Sequence, residues 1–267
     1  MPSYVVTGAS RGIGLEFVNQ LTTDEKNIVF ALARNPQNSP RLQELRKARP
    51  NVHILQADIT DVQALKAAAD ETAKVTGGSL DYLINNAALV GDKREGLTLT
   101  SYPTPELLES DLLAHYRTNV VGVVHTTNAF LPLLRAGAAK KVVTLSSGVA
   151  DPALVLAADF APAAPYGLSK AALNLAVAKY AAELRPEGFT FLAISPGLVS
   201  TSEGPLPPEI VASLGEMVKR FQRYAPDWNG KPITPETSVR LVLAVVERTT
   251  IADTGAFLSH FGNKQWL

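Results

Sequence analysis

Cysteine is absent from the 267-residue chain. A disulfide framework and thiolate chemistry are therefore both excluded. Net charge is absent too, because Lys plus Arg and Asp plus Glu are equal at 25 each. That balance gives no electrostatic reason to expect a nucleic acid or an anionic membrane as partner. No apolar run approaches the ~20 residues that a membrane helix requires. The opening Met1-Pro2-Ser3-Tyr4-Val5-Val6 enters what reads as a strand, without the basic start and apolar core of a signal peptide. The expected setting is cytoplasmic. Histidine is scarce: His53, His115, His125 and His260 lack the paired spacing of a zinc site, so no metal is expected and all four are read as structural.

What is present is ordinary globular material, with 46% hydrophobic and 19% charged residues. The length suits one large α/β domain over residues 1–267. Short β-branched runs alternate with longer helical patterns, as in a parallel sheet with crossover helices. Strands are expected at residues 4–7, 28–33, 52–56, 82–85, 142–146, 190–195 and 256–259. Helices are expected near 12–21, 41–47 and 62–75, the last capped by Thr60 or Asp61. A long helical stretch spans roughly 105–134. Runs such as Val142-Val143-Thr144-Leu145 suit strands covered on both faces. The fold class is a single Rossmann-type, doubly wound, parallel seven-stranded sheet flanked by helices.

Two segments break this rhythm. Residues 151–165 are rich in Ala and Pro, and residues 196–235 carry prolines at 205, 207, 208, 226, 232 and 235 around a helical patch at 209–221. Connections this long in a compact domain are usually functional, and both follow strand ends, where open α/β sheets bind ligands. Residues 196–235 are read as the substrate-binding loop region.

Between the first strand and first helix stands Thr7-Gly8-Ala9-Ser10-Arg11-Gly12-Ile13-Gly14. Glycines here let the backbone turn tightly and approach a pyrophosphate, whose charge is favoured at a helix N-terminus. The spacing is G-x-x-x-G-x-G rather than G-x-G-x-x-G. The second strand runs into Ala33-Arg34-Asn35, with no carboxylate where a ribose-binding acid would stand. Arg11 and Arg34 suit a 2′-phosphate, which a guanidinium can grip in a forked geometry. NADP(H) is the expected cofactor.

These features, with Asp58, Asn85-Asn86-Ala87-Ala88, Asn119, Ser146-Ser147, Tyr166-Gly167-Leu168-Ser169-Lys170 and Pro196-Gly197 in that order, resemble the classical short-chain dehydrogenases/reductases. The likeness covers nearly the whole chain. Within that family it is nearest to the carbonyl-reductase-like group. Gly255-Ala256-Phe257, His260-Phe261-Gly262 and Trp266 also resemble fungal polyketide ketoreductases.

The resemblance implies a catalytic set of Asn119, Ser147, Tyr166 and Lys170. Tyr166 and Lys170 are four apart on a helical pattern and share a face. An ordinary tyrosine, with a pKa near ~10, is a poor acid at neutral pH. The lysine ammonium, helped by a nicotinamide cation, is expected to move Tyr166 toward neutrality, while also binding the nicotinamide ribose. Ser147 would hold the carbonyl oxygen and Ser146 support the strand end, an assignment made by family analogy. Asn119 would distort its helix to hold a water linking Lys170 to solvent, or else be a satisfied buried asparagine.

For the cofactor, the resemblance implies Gly8, Ser10, Arg11, Gly12, Ile13 and Gly14 at the pyrophosphate, and Arg34 and Asn35 at the adenosine phosphate. Asp58 and Ile59 would contact adenine, with a helix N-cap as the alternative for Asp58. Asn86 and Ala87 would line the adenosine ribose. Pro196, Gly197, Val199 and Thr201 would hold the carboxamide. Asp81-Tyr82 and Arg94-Glu95 are read as surface or strand-edge residues. Residues 89–97, 151–165 and 198–224 should form the substrate pocket, with Phe160, Phe221, Tyr224 and Trp228 flanking a hydrophobic, cyclic or aromatic carbonyl.

The expected activity is NADPH-dependent reduction of a ketone or aldehyde. An NADP-dependent secondary-alcohol dehydrogenase and a non-catalytic NADPH sensor are the alternatives, the latter disfavoured because both Tyr166 and Lys170 are present. A sugar-nucleotide epimerase would need a larger C-terminal substrate domain. The family's habits leave monomer, homodimer and homotetramer open.

Overall fold

The computed structural model describes residues 1–91, 94–202, 204 and 208–267. In chain order the principal elements are β1 (Ser3–Thr7), α1 (Gly12–Leu21), β2 (Ile28–Ala33), α2 (Pro40–Ala48), β3 (Val52–Gln56), α3 (Val62–Thr76) and β4 (Tyr82–Asn85). Then come α4 (Pro105–Tyr116), α5 (Gly122–Ala136), β5 (Lys141–Leu145), α6 (Pro152–Ala157), α7 (Ala164–Leu184), β6 (Thr190–Ser195), α8 (Pro208–Tyr224), α9 (Pro235–Arg248) and β7 (Phe257–Ser259).

All seven strands are parallel, in the order β3-β2-β1-β4-β5-β6-β7. The single Rossmann-type sheet expected from the alternating pattern is the one present. Successive strand residues point to opposite faces, so Val5 and Val6, both 0% exposed, enter different cores. One core joins Val6, Val143, Leu192 and Ile194 to Phe17 and Val18 of α1 and Val239, Val242 and Val245 of α9. The other joins Val5, Leu83, Val142 and Phe191 to Leu65 of α3, Phe130 and Leu134 of α5 and Val177 of α7. Coverage on both faces is why these strands read as continuous apolar runs.

β1 pairs with both β2 and β4, so the winding reverses there. The crevice of such a sheet lies at the carboxyl ends of those strands, which is where Thr7, Asn85 and Leu145 end. The long helix expected at 105–134 is two helices joined by a wider, π-type turn at Arg117–Val121. Residues 151–165 are not a loop throughout, because Asp151 accepts a hydrogen bond from the Ala153 amide and starts α6. Among the described residues no helix is long and apolar enough to cross a membrane.

Candidate active site

The glycine turn is built for close backbone approach. Gly8 and Gly12 have φ of +67° and +55°, a region that favours glycine. A Cβ on Gly14 would lie 2.3 Å from the Gly8 carbonyl oxygen, which no side chain tolerates. Thr7 Oγ1 accepts from the amides of Asn86 and Ala87, both at 3.0 Å. Asn86 Nδ2 donates to the carbonyl oxygens of Thr7 at 2.8 Å and Gly8 at 3.2 Å. The β4 end is thereby stitched to the turn through Asn86 Nδ2. No side chain caps the start of α1 at Arg11, leaving its first amides to a ligand. Thr201 reaches the turn from the far side, since a Cβ on Gly12 would meet its Cγ2 at 3.4 Å. The turn's cradle and its free amides fit a dinucleotide pyrophosphate.

Arg34 and Asn35 follow β2 and are exposed, as is Arg11. The Ala9 amide donates to the Leu32 carbonyl at 3.0 Å, so the glycine turn and the end of β2 lie side by side. Ser10 and Ile13 lie within the same turn, and Pro196, Gly197 and Val199 follow β6. Val199 bridges in parallel to Ile233. Asp58 does not cap α3. Its carboxylate accepts from the amide and hydroxyl of Thr60, both at 2.8 Å, while Asp61 accepts from the Gln63 and Ala64 amides and is the cap. Ile59 is 7% exposed and packs beside Gly122.

Ser146 and Ser147 are distinguished by their partners. Ser146 donates to Asn174 Oδ1 at 2.6 Å and is buried. The Ser147 hydroxyl is held only weakly, by the Val149 amide at 3.4 Å. It lies beside the Tyr166 hydroxyl, whose acidity it raises. Lys170, 2% exposed, donates to the Leu145 carbonyl at 2.7 Å, and its Nζ lies 5.7 Å from the Tyr166 ring centre. Asn119 is fully buried in the π-type turn. It clamps Leu89 through both backbone groups at 2.8 Å and donates to Ser169 Oγ at 2.9 Å, which in turn donates to the Tyr166 carbonyl at 2.7 Å. The expected backbone distortion is present. Its side chain braces the segment after β4 against the first turns of α7.

Within the protein alone, burial dominates at both Tyr166 and Lys170. Burial pushes Tyr166 up to about 12, Ser147 pulls the other way, and the Glu95 carboxylate pushes it further up. The same burial pushes Lys170 down to about 7. In an apolar setting desolvation disfavours both charged forms.

Arg94 and Glu95 are not plain surface residues. Arg94 grips Asp111 in a forked pair at 2.7 Å through both Nε and Nη2, and Tyr102 donates to the same carboxylate at 3.1 Å. The Arg94 hydrogen bonds hold the Asp111 carboxyl below the usual range. With Val90, Glu95 and His115 they surround a small cavity against Tyr166. Asp81 also has a structural task, accepting from Ser3 and from the Ala138 and Ala139 amides.

The expected pocket is only partly as read. A cavity of about 510 Å³ is lined by apolar groups including Leu99, Val149, Pro152, Val155, Phe160 and Leu168. Of its α7 residues, Leu168 lies at a helical position opposite Tyr166 and Lys170, Ala164 and Ala171 beside it, and Gly167 on the flank next to Lys170. Phe160 and Phe221 do not stand free to flank a ring. They are buried against each other at 5.0 Å, in a cluster that also holds Trp266 and packs on Tyr166, Tyr224 and Trp228. Parts of the expected pocket, at Asp92, Lys93, Glu203 and Pro205-Leu206-Pro207, lie outside the described residues.

His260 is 3% exposed with no hydrogen-bond partner for Nδ1 among the described residues, and it lies against Gly197. Burial pushes it down to about 4. Its neutral form is therefore favoured on folding, and the stability it contributes is complete above pH 6.5 and lost as pH falls toward 4. That loss should be on the order of 3 kcal/mol. Urea unfolding at pH 7 and pH 4.5 checks this: His260→Phe should shrink the drop between the two. An equal drop in both proteins would place the acid sensitivity elsewhere.

A parallel sheet wound in this order, with a glycine turn after β1 and a Ser-Tyr-Lys cluster at the end of β5, defines a Rossmann-type oxidoreductase. The sequence matches the model of the short chain dehydrogenase family over residues 3–204, and the chain belongs to that family. It is 47% identical over its full length to the full length of the short-chain dehydrogenase/reductase AacuF of Aspergillus aculeatus. It is 44% identical, again end to end, to the short chain dehydrogenase virK of Hypocrea virens. Among solved structures it is similar to the NADPH-bound carbonyl reductase from chicken fatty liver, with a TM-score of 0.79, 30% identity and 98% of each chain covered.

Proposed function

We propose that the protein reduces a ketone or aldehyde to an alcohol with NADPH as hydride donor. The observation that carries this reading is the convergence of Ser147, Tyr166 and Lys170 at the end of β5, beside a glycine turn flanked by two exposed arginines. When bound, the nicotinamide supplies the hydride. Ser147 holds the carbonyl oxygen, and Tyr166 donates its hydroxyl proton to that oxygen, so that the C=O bond becomes CH–OH. The phenolate left on Tyr166 is stabilised by the Lys170 ammonium and regains its proton from solvent by way of Lys170, which also binds the ribose. Asn119 keeps the segment after β4 in place. Gly8, Ser10, Arg11, Gly12, Ile13 and Gly14 receive the pyrophosphate, with Arg11, Arg34 and Asn35 at the 2′-phosphate, Asp58, Ile59, Asn86 and Ala87 at the adenosine, and Pro196, Gly197, Val199 and Thr201 at the carboxamide. Residues 196–235 are the substrate-binding loop region. The NADPH found in the chicken carbonyl reductase supports the same cofactor here. The apolar cluster around Tyr166 supports a hydrophobic carbonyl.

The test is consumption of NADPH and NADH by the purified protein against aromatic, cyclic and aliphatic carbonyls. Turnover with NADPH is expected, fastest on apolar cyclic or aromatic members. Tight NADPH binding without turnover on any carbonyl would favour a sensor and sink the proposal.

A further inference from the structure

Ser147 has a placement problem. Its hydroxyl accepts one long bond from the Val149 amide and lies beside the Tyr166 hydroxyl, so its position follows largely from the backbone of 147–150. That backbone is anchored from below, where the Gly148 amide donates to Ser195 Oγ at 3.1 Å. From the other side it is covered by the C-terminal tail. After the exposed residues 263–265 the chain dips inward and buries Trp266 to 2% exposure. A Cβ on Gly148 would come within 2.8 Å of Trp266 Cβ, so the glycine and the tryptophan are fitted to one another.

Three further ties fix the indole. Its Nε1–H donates to Asp151 Oδ2 at 2.9 Å, while Asp151 Oδ1 accepts from the Ala153 amide at the start of α6. Its ring stacks on Phe257 of β7 at 4.4 Å, and Lys264 Nζ lies 4.9 Å and 5.3 Å from the two ring centres. The Lys264 carbonyl accepts from Tyr224 of α8 at 3.1 Å. One short tail thus joins β7, the Ser147 turn, α6 and α8.

We propose that the C-terminal tail is a clamp in which Trp266 is a positioning residue for Ser147. Its hydrogen bond and ring contacts among the described residues go to Asp151, Phe257 and Lys264, none of them in the glycine turn or at the end of β2. Its removal should therefore move the group that holds the carbonyl oxygen and leave the dinucleotide site alone. The proposal rests on the carbonyl-reductase reading for its kinetic readout, and on exchange of backbone amides for a readout free of it.

The experiment compares wild type, Trp266→Ala, Trp266→Phe, Gly148→Ala, Trp266→Gly and the double variant Gly148→Ala/Trp266→Gly. In Trp266→Ala, kcat should fall about ten- to a hundred-fold, as a shift of an ångström at a reacting group commonly does. NADPH affinity should stay within about two-fold. Trp266→Phe, which keeps the stack and loses the hydrogen bond, should recover part of kcat. Gly148→Ala should be strongly impaired alone and milder in the Trp266→Gly background, where both atoms that crowd a Cβ at 148, Trp266 Cβ at 2.8 Å and Cγ at 3.1 Å, are gone. Amide exchange should quicken over 146–158 in Trp266→Ala and Trp266→Phe and remain unchanged over 8–14. A kcat within about two-fold of wild type in folded Trp266→Ala overturns the proposal. So does a loss of NADPH affinity as large as the loss of kcat, which would mark a merely structural tail. If wild type turns over no carbonyl, the reductase reading fails. The exchange data then decide the clamp: unchanged exchange over 146–158 in Trp266→Phe overturns it, and quickened exchange upholds it.

Discussion

Tyr166→Phe should lower carbonyl reduction by about 10²- to 10⁴-fold, the usual worth of a positioned general acid, while NADPH affinity holds. The substitution deletes one oxygen from a ring that packs in the apolar cluster with Val149, Phe160 and Trp266, and phenylalanine fills the same space. The direction of the pKa shift decides how pH enters. Because burial raises Tyr166 to about 12, its hydroxyl remains protonated, and available as a donor, through the whole neutral range. The tyrosine alone should therefore leave kcat/KM for reduction flat from pH 6 to 9. Lys170, pushed down to about 7, is the group expected to bend the profile, since its ammonium is held below that pH and lost above it. The reverse reaction needs the phenolate as base, so alcohol oxidation should be slow at neutral pH and rise toward alkaline pH. Steady-state rates in both directions check all of this. A Tyr166→Phe protein retaining more than a tenth of wild-type reduction would remove the tyrosine from the mechanism.

The sheet was legible because its strands are buried on both faces. Val142-Val143 and Leu192-Ala193-Ile194 admit no other packing in a parallel fold, and the glycine turn marks β1 and α1 without ambiguity. The Tyr166–Lys170 pair was legible because helical spacing alone puts both on one face. Three features were not, each for a physical reason. The Arg94–Asp111 pair joins a loop to α4 across seventeen positions, and neither residue carries a local signal of the other. Trp266 meets Asp151 across 115 residues, so a lone tryptophan near the C-terminus reads as a feature of the tail rather than as a wall of the site. The balance of burial against charge at Tyr166 and Lys170 depends on how much apolar material surrounds them, and spacing does not record that. Phe160 and Phe221 show the converse: the aromatics were correctly located near the site, but each is the other's packing partner.

Charge reversal at the end of β2 should produce the second large effect. Arg34→Asp is expected to lower kcat/KM with NADPH about ten- to a hundred-fold and to leave or improve the value with NADH. Arg34 stands directly after Ala33, where a carboxylate would accept the ribose hydroxyls of NADH. It is exposed, and neither it nor Arg11 forms an ion pair among the described residues, so no internal partner competes for either guanidinium. Hydrogen bonds to a charged group contribute about 1.5–3 kcal/mol each, which sets the size of the loss. A carboxylate at 34 would add repulsion of the 2′-phosphate to the lost bonds. Arg11 approaches from the glycine turn, so Arg11→Ala should act in the same direction, and the double variant should prefer NADH outright. The NADPH preference of wild type should also weaken as salt is raised, because both arginines are solvent-exposed and screened. Initial rates with each cofactor at low and high ionic strength read every one of these outcomes. An NADPH-to-NADH ratio unmoved by Arg34→Asp would mean that the 2′-phosphate is held elsewhere, or that the enzyme never distinguished the two cofactors by that group.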